Sequence, residues 1–320
     1  MTMQARALRD SGIHASVVGL GGNNFTRPGT ATATAEGAEA VLSAALEEGV
    51  TFLDTADIYG DGYGGSEALL GEVLGARREQ FVLATKFGHT AVATSLDELG
   101  AKGSRAYIRA AVEGSLARLR TDRIDLYQQH TPDPSTPIEE TVAALEELVQ
   151  EGRIRAWGHS NFDAAQIAAA ESAAEALGAS RPVTAQNEYS LLARGIEREV
   201  LPAVEATGLG LLPFFPLANG LLTGKYTRDE RPEDTRITRQ KPEILQNADW
   251  AALESYQAFC DERGITMLEA TFGWLLAHPA VVSVIAGATR PEQVRANAAA
   301  GTAWRASAED LEALAAIFPL

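Results

Sequence analysis

The chain has 320 residues, 46% of them hydrophobic, so it can bury a large core, and a barrel of this size commonly forms one domain. Its net charge of −16 would repel phosphate backbones and anionic lipids, which argues against nucleic-acid and membrane partners. Cys260 is the sole cysteine, which excludes an intramolecular disulfide and a paired-cysteine zinc site and fits a reducing cytoplasm.

Short segments rich in β-branched and aromatic residues alternate with longer segments of helical period from about Val17 to Ala300. This alternation is typical of an α/β chain. The predicted strands are VVGLG from Val17, TFLDTA from Thr51, FVLATKF from Phe81, IDLYQQH from Ile124, IRAWGHS from Ile154, VTAQN from Val183, GLLPFFP from Gly210 and VSVIAGA from Val282. Eight such strands predict a closed parallel barrel.

Local signals predict where several helices begin and end. Ser104 is expected to cap a helix before the fourth strand. After that strand, Thr136 and Glu139 are expected to form a capping box around Pro137, and Gly152 is expected to end the helix.

More chain lies between the seventh and eighth strands than one crossover needs. It holds a polar loop from Thr223 to Pro242 and two helical patterns, Asp249 to Glu262 and Leu268 to Leu276. We expect the first of these to be an extra helix outside the barrel.

No Gly-, Ser- or Pro-rich linker divides the sequence, so we expect a single domain over residues 1–320. We expect neither a signal peptide nor a transmembrane helix, because the sequence has no apolar run of the required kind.

The stretch DTADIYGDGYGGSE, residues 54–67, contains a match to the GxGxxG pattern at Gly60, Gly62 and Gly65. A Rossmann phosphate loop needs its first glycine at the strand end and an acidic residue about 20 positions later. Here polar residues intervene before the first glycine, and the next strand delivers Lys86 instead of a carboxylate. We therefore interpret the glycines as a turn before a helix that Ser66 caps.

Three successive strands are apolar early and polar at their last position on one face, because side chains two apart point the same way. The sets are Phe52 and Asp54; Val82, Ala84 and Lys86; and Leu126, Gln128 and His130. This pattern is typical of barrel strands that fill the interior and present chemistry at the carboxyl-terminal mouth. Asp54, Lys86 and His130 are therefore predicted to converge, with Tyr59 just beyond the first of them.

In this order and spacing, Asp54, Tyr59, Lys86 and His130 resemble the catalytic tetrad of the aldo-keto reductase family. The resemblance covers nearly the whole chain, through the blocks GVTFLDTADIYG, LATKFG, RIDLYQQH, GRIRAWGHSNF, AQNEYSLL, PLANGLLTGKY and GATRPEQVRAN. It implies an α/β fold, a (β/α)8 TIM barrel with an N-terminal β-hairpin and extra helices outside the barrel. It also implies metal-free reduction of a small aldehyde or ketone with NADPH, less often NADH.

Carbonyl reduction by hydride makes an alkoxide, so the site must supply a proton and stabilise negative charge. The resemblance assigns the proton to Tyr59. Lys86 is expected to lower the pKa of that phenol, with Asp54 anchoring the lysine by an ion pair. His130 is expected to orient the carbonyl oxygen.

The same resemblance implies a dinucleotide stretched across the barrel mouth. Three polar residues would hold the nicotinamide carboxamide: Ser160, Asn161 and Gln186. Asp54 would also lie near the nicotinamide ribose, and Phe214 would stack on the nicotinamide. Phe215 stands where most relatives carry serine, which removes a polar contact.

Further residues are implied along the rest of the dinucleotide. The pyrophosphate would be crossed by Leu217, Asn219, Leu221, Gly224 and Lys225. The segment with Gly287 and Thr289 leads to Arg290, which suits the adenosine 2′-phosphate and favours NADPH over NADH. Gln293 and Asn297 share a helical face and could reach the adenine. Three residues would line the pocket floor: Gly21, Gly22 and Asn23.

Two functions remain open from the sequence. One is a carbonyl reductase, and the other is a nucleotide-sensing binding protein related to potassium-channel accessory subunits, which keep the nucleotide site. The mouth loops at residues 24–36, 89–103 and 219–242 are expected to set specificity. We expect a cytoplasmic monomer or weak homo-oligomer with no metal site.

Overall fold

The computed structural model describes residues 3–233 and 235–320. In these residues an antiparallel hairpin, β1 (Ala5–Ala7) and β2 (His14–Ser16), precedes an eight-stranded parallel sheet. Its strands are β3 (Val18–Gly21), β4 (Phe52–Asp54), β5 (Val82–Phe87), β6 (Ile124–Gln129), β7 (Ile154–Ser160), β8 (Thr184–Glu188), β9 (Gly210–Phe214) and β10 (Val284–Gly287). Each predicted segment overlaps one of these strands, with β8 extending one residue beyond its segment, and the predicted (β/α)8 barrel with its hairpin is confirmed.

The sheet closes into a ring whose strand order follows the chain. β3 to β9 pair consecutively, and β10 pairs with β3. Leu211 of β9 completes the ring through a parallel bridge to Val281, just before β10. Its amide donates to the oxygen of Ala280 at 2.7 Å, and its oxygen accepts from the amide of Val282 at 2.9 Å. Because the strands are parallel, all their carboxyl ends meet at one mouth.

Helices surround the ring. They are α1 (Ala35–Glu47), α2 (Gly65–Leu74), α3 (Arg105–Leu119), α4 (Ile138–Gln150), α5 (Ala164–Leu177), α6 (Val200–Thr207), α7 (Arg236–Gln240), α8 (Glu243–Gln246), α9 (Trp250–Arg263), α10 (Met267–Ala277), α11 (Pro291–Ala303) and α12 (Ala308–Ile317). As expected, α9 is an extra helix that packs mainly against α10 and α12. The segment predicted as a polar loop holds the short helix α7, capped by Thr235.

The barrel interior is apolar at its amino-terminal end. Its side chains form one cluster of Leu8, Ile13, Ala15, Phe52, Ala84, Leu126, Ala156, Val183, Leu212, Val282 and Ile285. The first three belong to the hairpin and its turn, so the hairpin plugs this end of the barrel. A larger cluster fills the space between strands and helices. Polar chemistry inside the barrel is thereby confined to the mouth.

The prediction that Ser66 caps a helix is wrong. α2 begins at Gly65 with no side-chain cap. Ser66 is fully buried, and its hydroxyl lies 2.9 Å from both the oxygen of Gly22 and the hydroxyl of Thr55. These two partners come from the ends of neighbouring strands, and together they take the hydroxyl away from the helix end.

The capping box predicted around Pro137 is also wrong. The Thr136 hydroxyl donates to Oδ2 of Asp133 at 3.1 Å, so a loop carboxylate holds it instead of the helix. α4 follows Pro137 without a side-chain cap. By contrast, the predicted Ser104 cap is confirmed, because its hydroxyl accepts from the amide of Tyr107 at 3.3 Å.

Candidate active site

Lys86 lies near the mouth end of β5 with no exposed surface. Its Nζ donates to Oδ2 of Asp54 at 2.7 Å and to the backbone oxygen of Thr55 at 2.9 Å. The same nitrogen is 3.5 Å from the hydroxyl of Tyr59 and 4.9 Å from the centroid of its ring. A carboxylate-held ammonium therefore faces the phenol.

Asp54 is itself fixed by a polar layer above the apolar interior. Its Oδ1 accepts from Nε2 of Gln186 at 3.0 Å and from Nε2 of Gln128 at 3.4 Å. The hydroxyl of Thr184 donates to Oε1 of Gln128 at 3.2 Å, which orients that amide. Both carboxylate oxygens thus have partners, as a buried charge requires.

His130 follows β6 directly and stands beside the phenol. The ring centroids of His130 and Tyr59 are 5.7 Å apart, with the planes nearly perpendicular at 82°. Within the described chain, Nδ1 of His130 is buried without a hydrogen-bond partner. Burial, then the charges of Lys86 and His89, hold the pKa of His130 well below its usual value. The imidazole is therefore neutral at neutral pH.

Burial makes the net shift of the Tyr59 pKa upward, although Lys86 acts to lower that pKa, as expected. Burial of the hydroxyl raises the pKa of Tyr59 more than the Lys86 ammonium lowers it, although the ring itself is partly exposed. Burial also acts to lower the pKa of Lys86, but Asp54 and Tyr59 outweigh it, and that pKa is raised. At neutral pH the site holds a protonated phenol next to an ammonium group.

A cavity of about 1150 Å³ opens at the barrel mouth beside these groups. Asp54, Tyr59 and His130 border it, and Lys86 lies behind them. Most residues expected at the cofactor also border it: Gly21, Asn23, Ser160, Asn161, Gln186, Phe214, Phe215, Leu217, Asn219, Lys225, Gly287, Thr289, Arg290, Gln293 and Asn297.

Three residues expected at the cofactor do not border the cavity: Gly22, Leu221 and Gly224. Leu221 instead packs in the core between strands and helices. The GxGxxG glycines are also absent from the cavity wall. Gly60 and Gly62 have φ angles of 99° and 75° and serve the turn that leads into α2, as interpreted from the sequence.

Several residues of the cavity wall have a backbone conformation that favours glycine. Asn161, Phe215 and Asn219 have φ angles of 62°, 51° and 60°. Such residues cost stability and persist where the surrounding structure fixes them, commonly at functional sites. Position 215, the departure from the family pattern noted in the sequence, is thus also a point of backbone strain.

The described part of the cavity wall is cationic, although the chain carries a net charge of −16. Its charged Lys and Arg side chains are Arg27, Lys225, Arg239 and Arg290. The carboxylate among these wall residues is Asp54, which Lys86 already holds. The sequence placed Arg27 and Arg239 in specificity loops but gave neither a role. Their one available signal was basic charge in loops of a strongly acidic chain.

A family model described as the Aldo/keto reductase family matches residues 17–318. The chain belongs to the aldo/keto reductase family. This is a family of oxidoreductases that act on small-molecule carbonyl compounds, and its members typically bind a nicotinamide cofactor.

Proteins similar to this chain carry different names. One of Bacillus subtilis, "Aldo-keto reductase YhdN", is 35% identical over 96% of this chain and 91% of its own length. Another of that organism, "Uncharacterized oxidoreductase YrpG", is 37% identical over 80% and 79%. A "Probable voltage-gated potassium channel subunit beta" of Arabidopsis thaliana is 34% identical over 92% and 90%.

The cavity of this aldo/keto reductase fits a nicotinamide dinucleotide. Among the described residues, Lys225 and Arg290 lack ion-pair partners, and α11 begins directly after Arg290. Burial, then the charge of Arg290, lowers the pKa of Lys225, although its side chain remains open to the cavity. Two adjacent cations at a helix amino terminus suit phosphate groups.

None of the helices among the described residues combines the length and the apolar composition that a membrane-spanning segment needs.

Proposed function

We propose that this protein reduces an aldehyde or ketone to an alcohol with NADPH. One observation carries the proposal: Tyr59 lies at the cavity wall between Lys86 and the His130 ring. The Nζ atom of Lys86 is 3.5 Å from the Tyr59 hydroxyl, and the His130 ring borders the same cavity as Tyr59. Lys86 is fixed by Asp54, so a proton donor, a cation and a neutral imidazole meet where a carbonyl oxygen could bind.

When bound, NADPH would supply the hydride that the carbonyl carbon receives. Tyr59 donates its hydroxyl proton to the carbonyl oxygen, which completes the alcohol. The phenolate that remains is stabilised by the Lys86 ammonium, whose Asp54 partner keeps it in place. His130 is neutral and donates one ring N–H to the carbonyl oxygen, which orients the substrate.

The preference for NADPH over NADH rests on the cationic end of the cavity. Arg290 is exposed to the cavity at the start of α11, next to Lys225. A guanidinium there can bind a 2′-phosphate, which NADH lacks. Ser160, Asn161 and Gln186 border the other end, beside Asp54, where they would hold the carboxamide.

Tyr59→Phe tests this function because it keeps the ring and removes the proton donor. We expect kcat for carbonyl reduction to fall by at least about 100-fold, with NADPH affinity within about twofold of wild type. Steady-state NADPH oxidation and fluorescence titration measure the two quantities. Tyr63→Phe, in the same loop but outside the cavity wall, is the matched control and should remain active. Wild-type turnover in Tyr59→Phe on every carbonyl compound tested would contradict the mechanism.

A second candidate is a nucleotide-sensing binding protein, favoured by the 34% identity to a probable potassium channel subunit beta. Such a protein would bind NADPH in the same cavity and turn over negligibly. Multiple fast turnovers on small carbonyl compounds would favour the reductase. Tight NADPH binding without turnover, together with a copurifying membrane partner, would favour the sensor.

A further inference from the structure

We propose that Arg27 anchors an anionic subsite, so that the preferred carbonyl substrate carries a carboxylate or phosphate group. The inference rests on the proposed function, because it adds a substrate class to the same cavity. Arg27 would bind the negatively charged oxygens of either group, and the experiment below distinguishes a carboxylate from a phosphate.

Arg27 is held in place by neutral acceptors. Its Nη2 donates to the side-chain oxygen of Asn23 at 3.0 Å and to the backbone oxygen of Asn23 at 3.2 Å. Its Nη1 lies 3.3 Å from Oε1 of Gln240 in α7. Among the described residues no carboxylate lies within ion-pair distance of this guanidinium. A half-buried guanidinium with only neutral partners on the cavity wall therefore has capacity for an anion.

The loop that carries Arg27 is fixed against the turn that carries Tyr59. Phe25 is fully buried, and the Thr26 hydroxyl accepts from the amide of Asp61 at 2.8 Å. Asp61 follows Tyr59 by two residues, so these contacts place Arg27 on the same side of the mouth as the proton donor. Thr26 has a φ of 63°, a strained conformation that directs the chain into this position.

Arg27 is distinct from the cations assigned to the cofactor. Lys225 and Arg290 come from the segment after β9 and from the start of α11, and each lies within electrostatic reach of the other. Arg27 instead comes from the loop after β3, which the Thr26–Asp61 hydrogen bond ties to the turn after Tyr59. The cavity thus has one cationic region for the dinucleotide phosphates and another near the reacting groups.

A second guanidinium lies across the same opening. Arg239 of α7 borders the cavity, and its Nη1 would be 3.4 Å from a Cβ atom placed on Gly29. The Arg27–Gly29 segment and α7 therefore face each other, joined by the Arg27–Gln240 contact. Because Gly29 has no side chain, Arg239 can lie close to this loop.

The test compares matched substrates with and without an anionic group. The pairs are 4-carboxybenzaldehyde with 4-methylbenzaldehyde, and glyceraldehyde 3-phosphate with glyceraldehyde. We expect wild type to prefer the anionic member of at least one pair by about tenfold or more in kcat/KM. The pair that shows the preference identifies the anion as carboxylate or phosphate. Arg27→Gln should lower kcat/KM for that member by about 10- to 100-fold, mainly through KM, and change the neutral member less than about threefold.

Two further variants separate charge recognition from structure. Arg27→Lys should restore part of the anionic preference, because it keeps the charge and loses the fork geometry. Arg295→Gln removes an exposed arginine of α11 that pairs with Glu47, and it should behave as wild type. A purely structural role for Arg27 would instead weaken both members of each pair and lower the melting temperature.

A binding measurement keeps the test independent of turnover. Calorimetry with protein saturated with NADP⁺ would compare 4-(hydroxymethyl)benzoate with 4-methylbenzyl alcohol, and glycerol 3-phosphate with glycerol. If wild type reduces no carbonyl compound, the proposed function fails, and anion binding that depends on Arg27 still supports the subsite. The subsite is overturned by equal affinity within both pairs, by equal losses in Arg27→Gln, or by a selective loss of NADPH affinity in that variant.

Discussion

Asp57, two residues before Tyr59, is a buried carboxyl group with little hydrogen bonding. It has no exposed surface, and its Oδ2 accepts from the Tyr63 hydroxyl at 3.1 Å. Its Oδ1 has no partner among the described residues. Burial, then the negative charge of Glu67, raises the pKa of Asp57 to about 7. Unfolding returns that pKa to about 3.9, so the folded chain binds a proton that the unfolded chain releases between these values.

Asp57→Asn should therefore stabilise the protein at alkaline pH. The stability that the Asp57 proton provides is fully present below about pH 4 and is lost as pH rises through about 7. Asparagine is neutral at all these pH values, so the excess unfolding free energy of Asp57→Asn should grow by about 2 kcal/mol from about pH 5.5 to about pH 8. Urea denaturation across this range measures it. Asp61→Asn, an exposed neighbour, should follow the wild-type profile, and parallel curves for Asp57→Asn and wild type would contradict the prediction.

Individual site residues differ in how far the sequence reveals them. Asp54 and Lys86 were predicted together because each ends the same face of a parallel strand, and all such ends meet at the mouth. Arg27 was not given a role, because its position depends on a strained loop and on Gln240, 213 residues away. The rise in the Tyr59 pKa was missed because burial cannot be read from strand alternation.

At the scale of elements, α2 and α3 approach each other closely at Gly71. A Cβ atom on Gly71 would lie 2.1 Å from the backbone oxygen of Arg118 and 2.7 Å from the carbonyl carbon of Leu119. Backbone atoms on both sides leave no flexible side chain to move. The helix pair must therefore separate to admit even a methyl group.

Gly71→Ala should lower the free energy of unfolding by about 1–3 kcal/mol, despite the better helix propensity of alanine. Gly195→Ala is the matched control, because no heavy atom outside its chain neighbours lies within 4 Å of its Cβ position, and its φ is not positive. Equilibrium urea unfolding compares the two variants. If Gly71→Ala is as stable as Gly195→Ala, the close contact of α2 and α3 does not exist in solution.

Strands were easier to predict than helix ends in this chain. Every barrel strand has an apolar face toward the core and a limited length. This pattern can be read from the sequence without knowing which residues pack against the strand. Caps depend on one hydroxyl with several competing partners. The hydroxyl of Ser66 bonds to residues at strand ends, and that of Thr136 bonds to a loop carboxylate. The residue pattern that suggested a helix start at each position takes no account of these partners.

Across the whole molecule, the charge of the mouth cavity differs from the net charge of the chain. The chain has 43 Asp and Glu against 27 Lys and Arg, yet the described wall of the mouth cavity holds four Lys and Arg side chains and a single carboxylate. The cationic wall attracts anions locally, although the net charge of the chain repels them at longer range. The cavity also joins the two ends of the sequence, since its wall includes Gly21 after the hairpin and Asn297 in α11. A ligand bound there ties early and late segments together.

NADPH should therefore raise the melting temperature more than NADH does. A ligand that binds only the folded state at 100 times its Kd adds about 2.7 kcal/mol, a shift of several degrees for a chain of this size. Arg290→Ala should reduce the NADPH shift to that of NADH and leave the NADH shift unchanged, because it removes only the cation proposed for the 2′-phosphate. Arg295→Ala, on the same helix and paired with Glu47, should keep the full NADPH shift. Differential scanning fluorimetry at matched concentrations measures all four shifts, and equal shifts for both cofactors in wild type would refute the proposed role of Arg290.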